Sequence, residues 1–87
     1  MSAPIHITVR YFASIREALG TGSESCTTTA ATLGALRDEL IARGGAFSPA
    51  LARGKAVRMA HNQLLSNEDA PLAAGDEVAF FPPVTGG

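Results

Sequence analysis

A single cysteine, Cys26, is present in the 87 residues, so no disulfide can close within the chain, which fits a reducing compartment. No apolar run approaches the ~20 residues needed to cross a bilayer. The opening Met1-Ser2-Ala3-Pro4 has no basic region followed by an apolar stretch, so no signal peptide is expected. Positive charge is sparse: seven Lys and Arg, never two in succession, against eight Asp and Glu, for a net charge of −1 and a pI near 6.0. That leaves no electrostatic footprint for nucleic acid or an acidic membrane. His6 and His61 lack the spacing of metal ligands and read as surface imidazoles. Glu68-Asp69 and Asp76-Glu77 read as solvated turn residues rather than an acid–base pair. Gly20-Thr21-Gly22 is too short to cradle a phosphate. The absences together predict a soluble cytoplasmic protein that binds neither metal nor cofactor through its own side chains.

The composition that remains is globular, with 46% hydrophobic and 17% charged residues. Such a length supports one core. Ile5, Ile7, Val9 and Tyr11 alternate with His6, Thr8, Arg10 and Phe12, the period of a strand with one apolar face. Ser14 and Glu17 form a capping-box pattern for a short helix over Ile15, Ala18 and Leu19, which Gly20 and Gly22 end. Glu24 to Thr28 is β-prone. Thr32 is placed to cap a longer helix carrying Leu33, Leu36, Leu40 and Ile41, closed by Gly44-Gly45. Phe47 to Lys55 reads as a loop or one turn. Val57 to His61, a turn at Asn62-Gln63, Leu64 to Ser66, and Glu77 to Phe81 complete the order. The pattern predicts an α+β domain over residues 1–81, a mixed sheet with one main helix across one face. The predicted core is Ile5, Ile7, Val9, Leu33, Leu36, Leu40, Val57, Met59, Val78 and Phe80, with Cys26 as a packed thiol or, less simply, a sulfur relay.

Strand parity then assigns the uncovered face. With Val78 and Phe80 inward, Ala79 and Phe81 point outward, Phe12 joins them, and at least one of Leu64 and Leu65 does too. Phe12, Leu65 and Phe81 would form an exposed apolar patch suited to a partner, unless loops or the short helix fold over it. Lys55 is either a solvated loop lysine or a salt-bridge donor to that partner.

Residues 82–87, Pro82-Pro83-Val84-Thr85-Gly86-Gly87, form an extended tail. The two prolines fix φ and favour a stretched path. Six residues reach about 20 Å at ~3.3–3.6 Å each. Gly86 and Gly87 lack a Cβ, so the tip fits a slot too narrow for side chains and ends in a carboxylate. The alternative is a frayed end.

Phe12-Ala13-Ser14-Ile15-Arg16-Glu17, Thr32-Leu33-Gly34-Ala35-Leu36-Arg37, Asn62-Gln63, and above all Gly75 to Gly87, ending Phe80-Phe81-Pro82-Pro83-Val84-Thr85-Gly86-Gly87, resemble the small, sulfur-carrying subunits of molybdopterin synthase. The resemblance spans nearly the whole chain. It is weakest over Gly20 to Ala31 and Ala42 to Arg58. It implies a ubiquitin-like β-grasp fold and a carrier whose Gly87 carboxyl is adenylated and becomes a thiocarboxylate. Gly86 would pass a narrow channel, and Phe12, Leu65, Phe81, Pro82, Pro83, Val84 and Thr85 would meet the partner. The implied partners are a large catalytic subunit, in a heterotetramer of two small and two large chains, a ubiquitin-activating-type adenylyltransferase that brings its own ATP and metal ion, and a sulfur donor system. A carrier for thiazole synthesis or tRNA thiolation, or a ubiquitin-like modifier, shares Gly-Gly. A plain β-grasp interaction domain is the third class.

Overall fold

The computed structural model describes residues 3–83. Eight elements follow one another: β1 (Ile5–Tyr11), α1 (Ala13–Leu19), β2 (Ser23–Thr28), α2 (Leu33–Ala42), the single turn α3 (Phe47–Ala50), β3 (Arg58–His61), β4 (Leu64–Ser66) and β5 (Glu77–Phe81). The five strands form one mixed sheet in the order β2-β1-β5-β3-β4. β5 lies at its centre, parallel to β1 and antiparallel to β3. A parallel pair needs a long crossover, and the chain between β1 and β5 supplies α2, which covers one face of the sheet.

α2 begins where the Thr32 hydroxyl accepts the Ala35 amide at 3.1 Å. It ends at Gly44, whose φ of 76° is the left-handed conformation that glycine adopts without a Cβ penalty. Leu33, Leu36 and Leu40 recur at helical spacing and are fully buried against Val9, Tyr11, Val78 and Phe80 of the central strands. Each such side chain stabilises the fold by roughly 1.5–3 kcal/mol. Tyr11 stacks on Phe80 with ring centroids 6.3 Å apart and meets Phe47 edge-on at 6.1 Å. Its hydroxyl donates to Glu24 at 2.9 Å, and burial pushes the phenol well above its ordinary pKa. Cys26 is a buried core thiol, its pKa raised by desolvation, so it has the character of a packed residue rather than a relay.

Several sequence-based expectations are modified. The Ser14–Glu17 capping box does not form. Phe12 follows β1 directly in an extended N-cap conformation with no side-chain cap, and the helix opens at Ala13. Ile5 and Val57 pack at the core's margin, whereas Ile15, Ala50 and Leu51 are buried within it. Asp76 is no solvated turn residue. Its carboxylate meets His61 Nε2 at 2.5 Å and accepts from Asn62 Nδ2 at 3.1 Å and from the Ala73 amide at 2.9 Å. Asn62 and Gln63 both hold positive φ, the conformation of a tight hairpin turn, and Asn62 Oδ1 accepts the Glu77 amide. This network ties the β3–β4 turn to the start of β5. Glu68 is likewise engaged, by Arg53 and by Arg37 at 3.5 Å. The Arg37 guanidinium is buried and donates to the carbonyls of Leu51 at 2.8 Å, Ala52 at 2.7 Å and Lys55 at 3.2 Å, which fixes the 51–55 loop.

Hydrogen bonding from His61 foremost, then from Ala73 and Asn62, holds the Asp76 carboxyl below the ordinary aspartate range. Its contribution to stability is therefore complete above the unfolded-chain value near 3.9 and is lost as pH falls through the lower folded value. Asp76→Ala is expected to cost about 1–3 kcal/mol in urea unfolding at neutral pH. The difference from the unaltered chain is expected to shrink once the pH drops below about 4. A gap that stays constant into strong acid would contradict this.

Candidate functional site

Because β5 is central, the chain leaves the body from the middle of one sheet end rather than from an edge. The register there is explicit. Tyr11 pairs with Phe80, and Phe81 pairs with Arg58. The Phe12 amide donates to the Phe80 carbonyl at 3.2 Å, which brings Phe12 alongside the last residue of β5. The Phe12 carbonyl in turn accepts from the amides of Ile15 and Arg16, and Ala13 between them is held at φ 51°. That conformation costs an alanine about 1–2 kcal/mol. Bonds on both sides hold it, and the sharp turn leaves Phe12 39% exposed at the junction of β1 and α1.

Two rows of side chains follow on the face away from α2. Phe12, Phe81 and Arg58 form the row at the root of the tail; Arg10, Ala79, Ala60 and Leu65 form the next. The Arg10 guanidinium lies 5.3 Å from the centre of the Phe12 ring. Leu65 is 73% exposed, as is Leu64 on the opposite side of the same short strand. Towards β2 the face turns polar through Ser23, Ser25 and Thr27. Phe12 and Leu65 are exposed on this face as parity predicts, with Ala60 and Ala79 between them and two corrections to the rest. Phe81 is partly buried because Phe12 and Arg58 flank it, and Ala79 is buried because its short methyl lies in the central strand between Arg10 of β1 and Ala60 of β3.

On the other side of the root, Pro82 lines a shallow groove of about 110 Å³ with Ile15 and Ala18 of α1, Ala50 of α3, and Lys55 and Val57. Pro82 and Pro83 are partly buried, so the tail is seated on the body through its first prolines. Val84, Thr85, Gly86 and Gly87 lie outside the described residues. Beyond Pro83, four residues span at most about 14 Å. Among the described residues, no group of three His, Cys, Asp or Glu is placed to hold a metal ion, and no helix is long and apolar enough to cross a membrane. Of the residues singled out from the sequence, Phe12, Phe81, Pro82 and Pro83 lie at the tail's root, whereas Leu65 lies one row back on the edge strand β4. Sequence reasoning missed Ala13 and the arginine staple at Arg37, which no pattern in the sequence announced.

The chain matches the ThiS family over residues 9–87. It belongs to the ThiS family. It is 46% identical over 81 residues to the molybdopterin synthase sulfur carrier subunit of Escherichia coli strain K12, a match that covers 93% of this chain and 99% of that one. Among solved structures, a complex of subunits 1 and 2 of molybdopterin-converting factor from Helicobacter pylori contains a chain 30% identical to it, with a TM-score of 0.63, covering 95% of this chain and all of that one. Caldiarchaeum subterraneum ubiquitin shares the fold at 15% identity and a TM-score of 0.56, over 98% of this chain and 100% of its own length. The fold of this ThiS-family chain is the ubiquitin-like β-grasp.

Phe80 and Phe81 point to opposite faces, and their truncations are expected to separate. Phe80→Ala removes a fully buried ring and should lower the unfolding free energy by about 3–5 kcal/mol. Phe81→Ala is expected to leave the denaturant midpoint nearly unchanged and to weaken a partner complex by ~2 kcal/mol or more, about thirtyfold. Denaturant midpoints and partner affinity for both variants check this; reversed outcomes would shift the strand register by one.

Proposed function

We propose that this chain is the sulfur carrier subunit of molybdopterin synthase and that its chemistry resides at the Gly87 carboxyl. The observation that carries the reading is the near full-length similarity to such a carrier, joined to a tail that leaves the centre of the sheet between an apolar patch and a groove. A carboxylate with a pKa near 3.3–3.7 is an anion at neutral pH and resists nucleophiles. Activation therefore comes first: an adenylyltransferase of the ubiquitin-activating type joins the Gly87 carboxyl to AMP, using ATP and a metal ion held by that enzyme. Sulfide from the donor system then attacks the acyl carbon, the C–S bond forms as AMP leaves with the C–O bond electrons, and loss of the sulfur's proton leaves a thiocarboxylate on Gly87. The large subunit takes this sulfur into the dithiolene of molybdopterin. Two sulfurs per pterin require two loaded carriers, which suits an assembly of two small and two large chains.

The body of the carrier supplies position rather than catalysis. It presents the tip at fixed reach and docks through Phe12, Leu65 and Phe81, with Pro82 and Pro83 as a stiff root and Val84 and Thr85 leading to Gly86 and Gly87. Holding the sulfur beside the substrate turns an encounter between two molecules into a local event.

Deleting Gly87 shortens the reach by about 3.3–3.6 Å and moves the reactive carbon out of register with any partner site built for the full tail. Molybdopterin formation in a reconstituted system is expected to be abolished, with circular dichroism and melting temperature unaltered. Normal turnover by the truncated chain would refute the carrier reading.

A further inference from the structure

The seven cationic residues, dispersed in sequence, divide into two groups in space. Arg10, Arg37, Arg43 and Arg53 each face a carboxylate: Glu77, Glu68, Glu24, and Asp38 with Glu68, respectively. Arg16, Lys55 and Arg58 have no ion pair among the described residues, and all three are exposed.

These three lie at the same end of the molecule. Arg58 is paired in register with Phe81, the last residue of β5. Lys55 lines the groove with Pro82. Arg16 belongs to α1, and its guanidinium rests against Gly22, whose Cβ, if present, would sit 3.1 Å from the guanidinium carbon. Gly22 precedes β2 and accepts the Tyr11 amide, so it too belongs to the tail's end of the sheet. With β5 in the middle of the strand order, Arg58 stands on the β3 side of the tail's root, Arg16 on the β1–β2 side and Lys55 on the helical side. The fourth side holds Phe12 and Phe81.

The carboxylates are distributed the other way. Five of the eight are engaged by the pairs above and by His61–Asp76; Glu17, Glu39 and Asp69 are not. Of those, only Glu17 belongs to an element beside the tail. A chain of net charge −1 therefore carries a local positive excess where its tail departs.

We propose that Arg16, Lys55 and Arg58 form a cationic collar around the tail, which steers it into a partner whose tail-receiving mouth is rimmed with carboxylates. The inference rests on the carrier reading and specifies how the large subunit is met. The exposure of the three side chains decides what kind of effect they have. Solvated charges gain little from a static ion pair, but their summed field accelerates encounter and fades over the ~8 Å screening length of physiological salt. Arg37 contributes indirectly, because its bond to the Lys55 carbonyl holds the backbone from which the lysine projects.

The test is stopped-flow association of the full chain with its cognate large subunit over a series of salt concentrations. The variant combines Arg16→Gln, Lys55→Gln and Arg58→Gln. A control adds the same three negative units at the far end of the sheet, through Thr29→Glu, Ala31→Glu and Ala74→Glu, all at exposed positions. In the collar variant the association rate at low salt is expected to fall about tenfold or more and to lose most of its salt dependence, with melting temperature and dissociation rate nearly unchanged. The control is expected to change the rate less than about twofold, since its charges lie beyond the screening length from the tail. A charge-conserving variant, Lys55→Arg with Arg58→Lys, is expected to keep the fast rate. If the collar variant associates as fast as the control, or if both slow equally through net charge, the collar is overturned and the carrier reading stands. If the unaltered chain does not bind the large subunit, the carrier reading fails and the collar with it.

Discussion

The pairing of β5 with β1 governs the rest of the molecule. The last strand of the chain fills the centre of the sheet, where Val78 and Phe80 are wholly buried. β1 and β3 cannot join without it. The contact is among the longest in sequence that the fold makes, and closing so large a loop is repaid only by burial against both neighbours and α2. The same pairing decides where the tail starts. A chain that ended on an edge strand would trail along the rim; here it leaves between two strands, with side chains on every side of its root.

Around that root the molecule separates its tasks by strand parity. Phe80 faces α2 and belongs to stability, whereas Phe81, one residue later, faces the open side with Phe12. The groove on the helical side seats Pro82, so the stiff part of the tail begins in contact with the body. Polar networks that would look catalytic in isolation lie away from this point. His61, Asp76 and Asn62 tie the opposite end of the sheet together, and Arg37 staples a loop by satisfying three carbonyls. A carrier needs such rigidity because its reactive atom is moved as cargo by the whole domain, and slack at the base would be multiplied along the tail.

Much of this was legible in the sequence. Period-two alternation fixed the face of β1, and the leucine spacing fixed the buried stripe of α2. What escaped was tertiary in origin. The Ser14–Glu17 pattern lost because the Phe12 carbonyl accepts the Ile15 and Arg16 amides, so the helix opens at Ala13 and Ser14 lies inside its first turn. Asp76 appeared to be a turn residue because its partners His61 and Asn62 are remote in sequence. Arg37 sat within an amphipathic helix where an arginine reads as solvent-facing, and only the loop folded over it reveals three acceptors. The separation of paired from unpaired cations is likewise invisible to spacing, since each is isolated along the chain.

On the carrier proposal, the Gly87 carboxyl and no other group of this chain takes up the sulfur. Intact-mass measurement of the full chain, after incubation with its activating enzyme, ATP, magnesium and a sulfur source, tests it most directly. A mass rise equal to the difference between one sulfur and one oxygen atom is expected, localised by fragmentation to Gly87. An unchanged mass under conditions where the activating enzyme loads another carrier, or sulfur found on Cys26 instead, would contradict it.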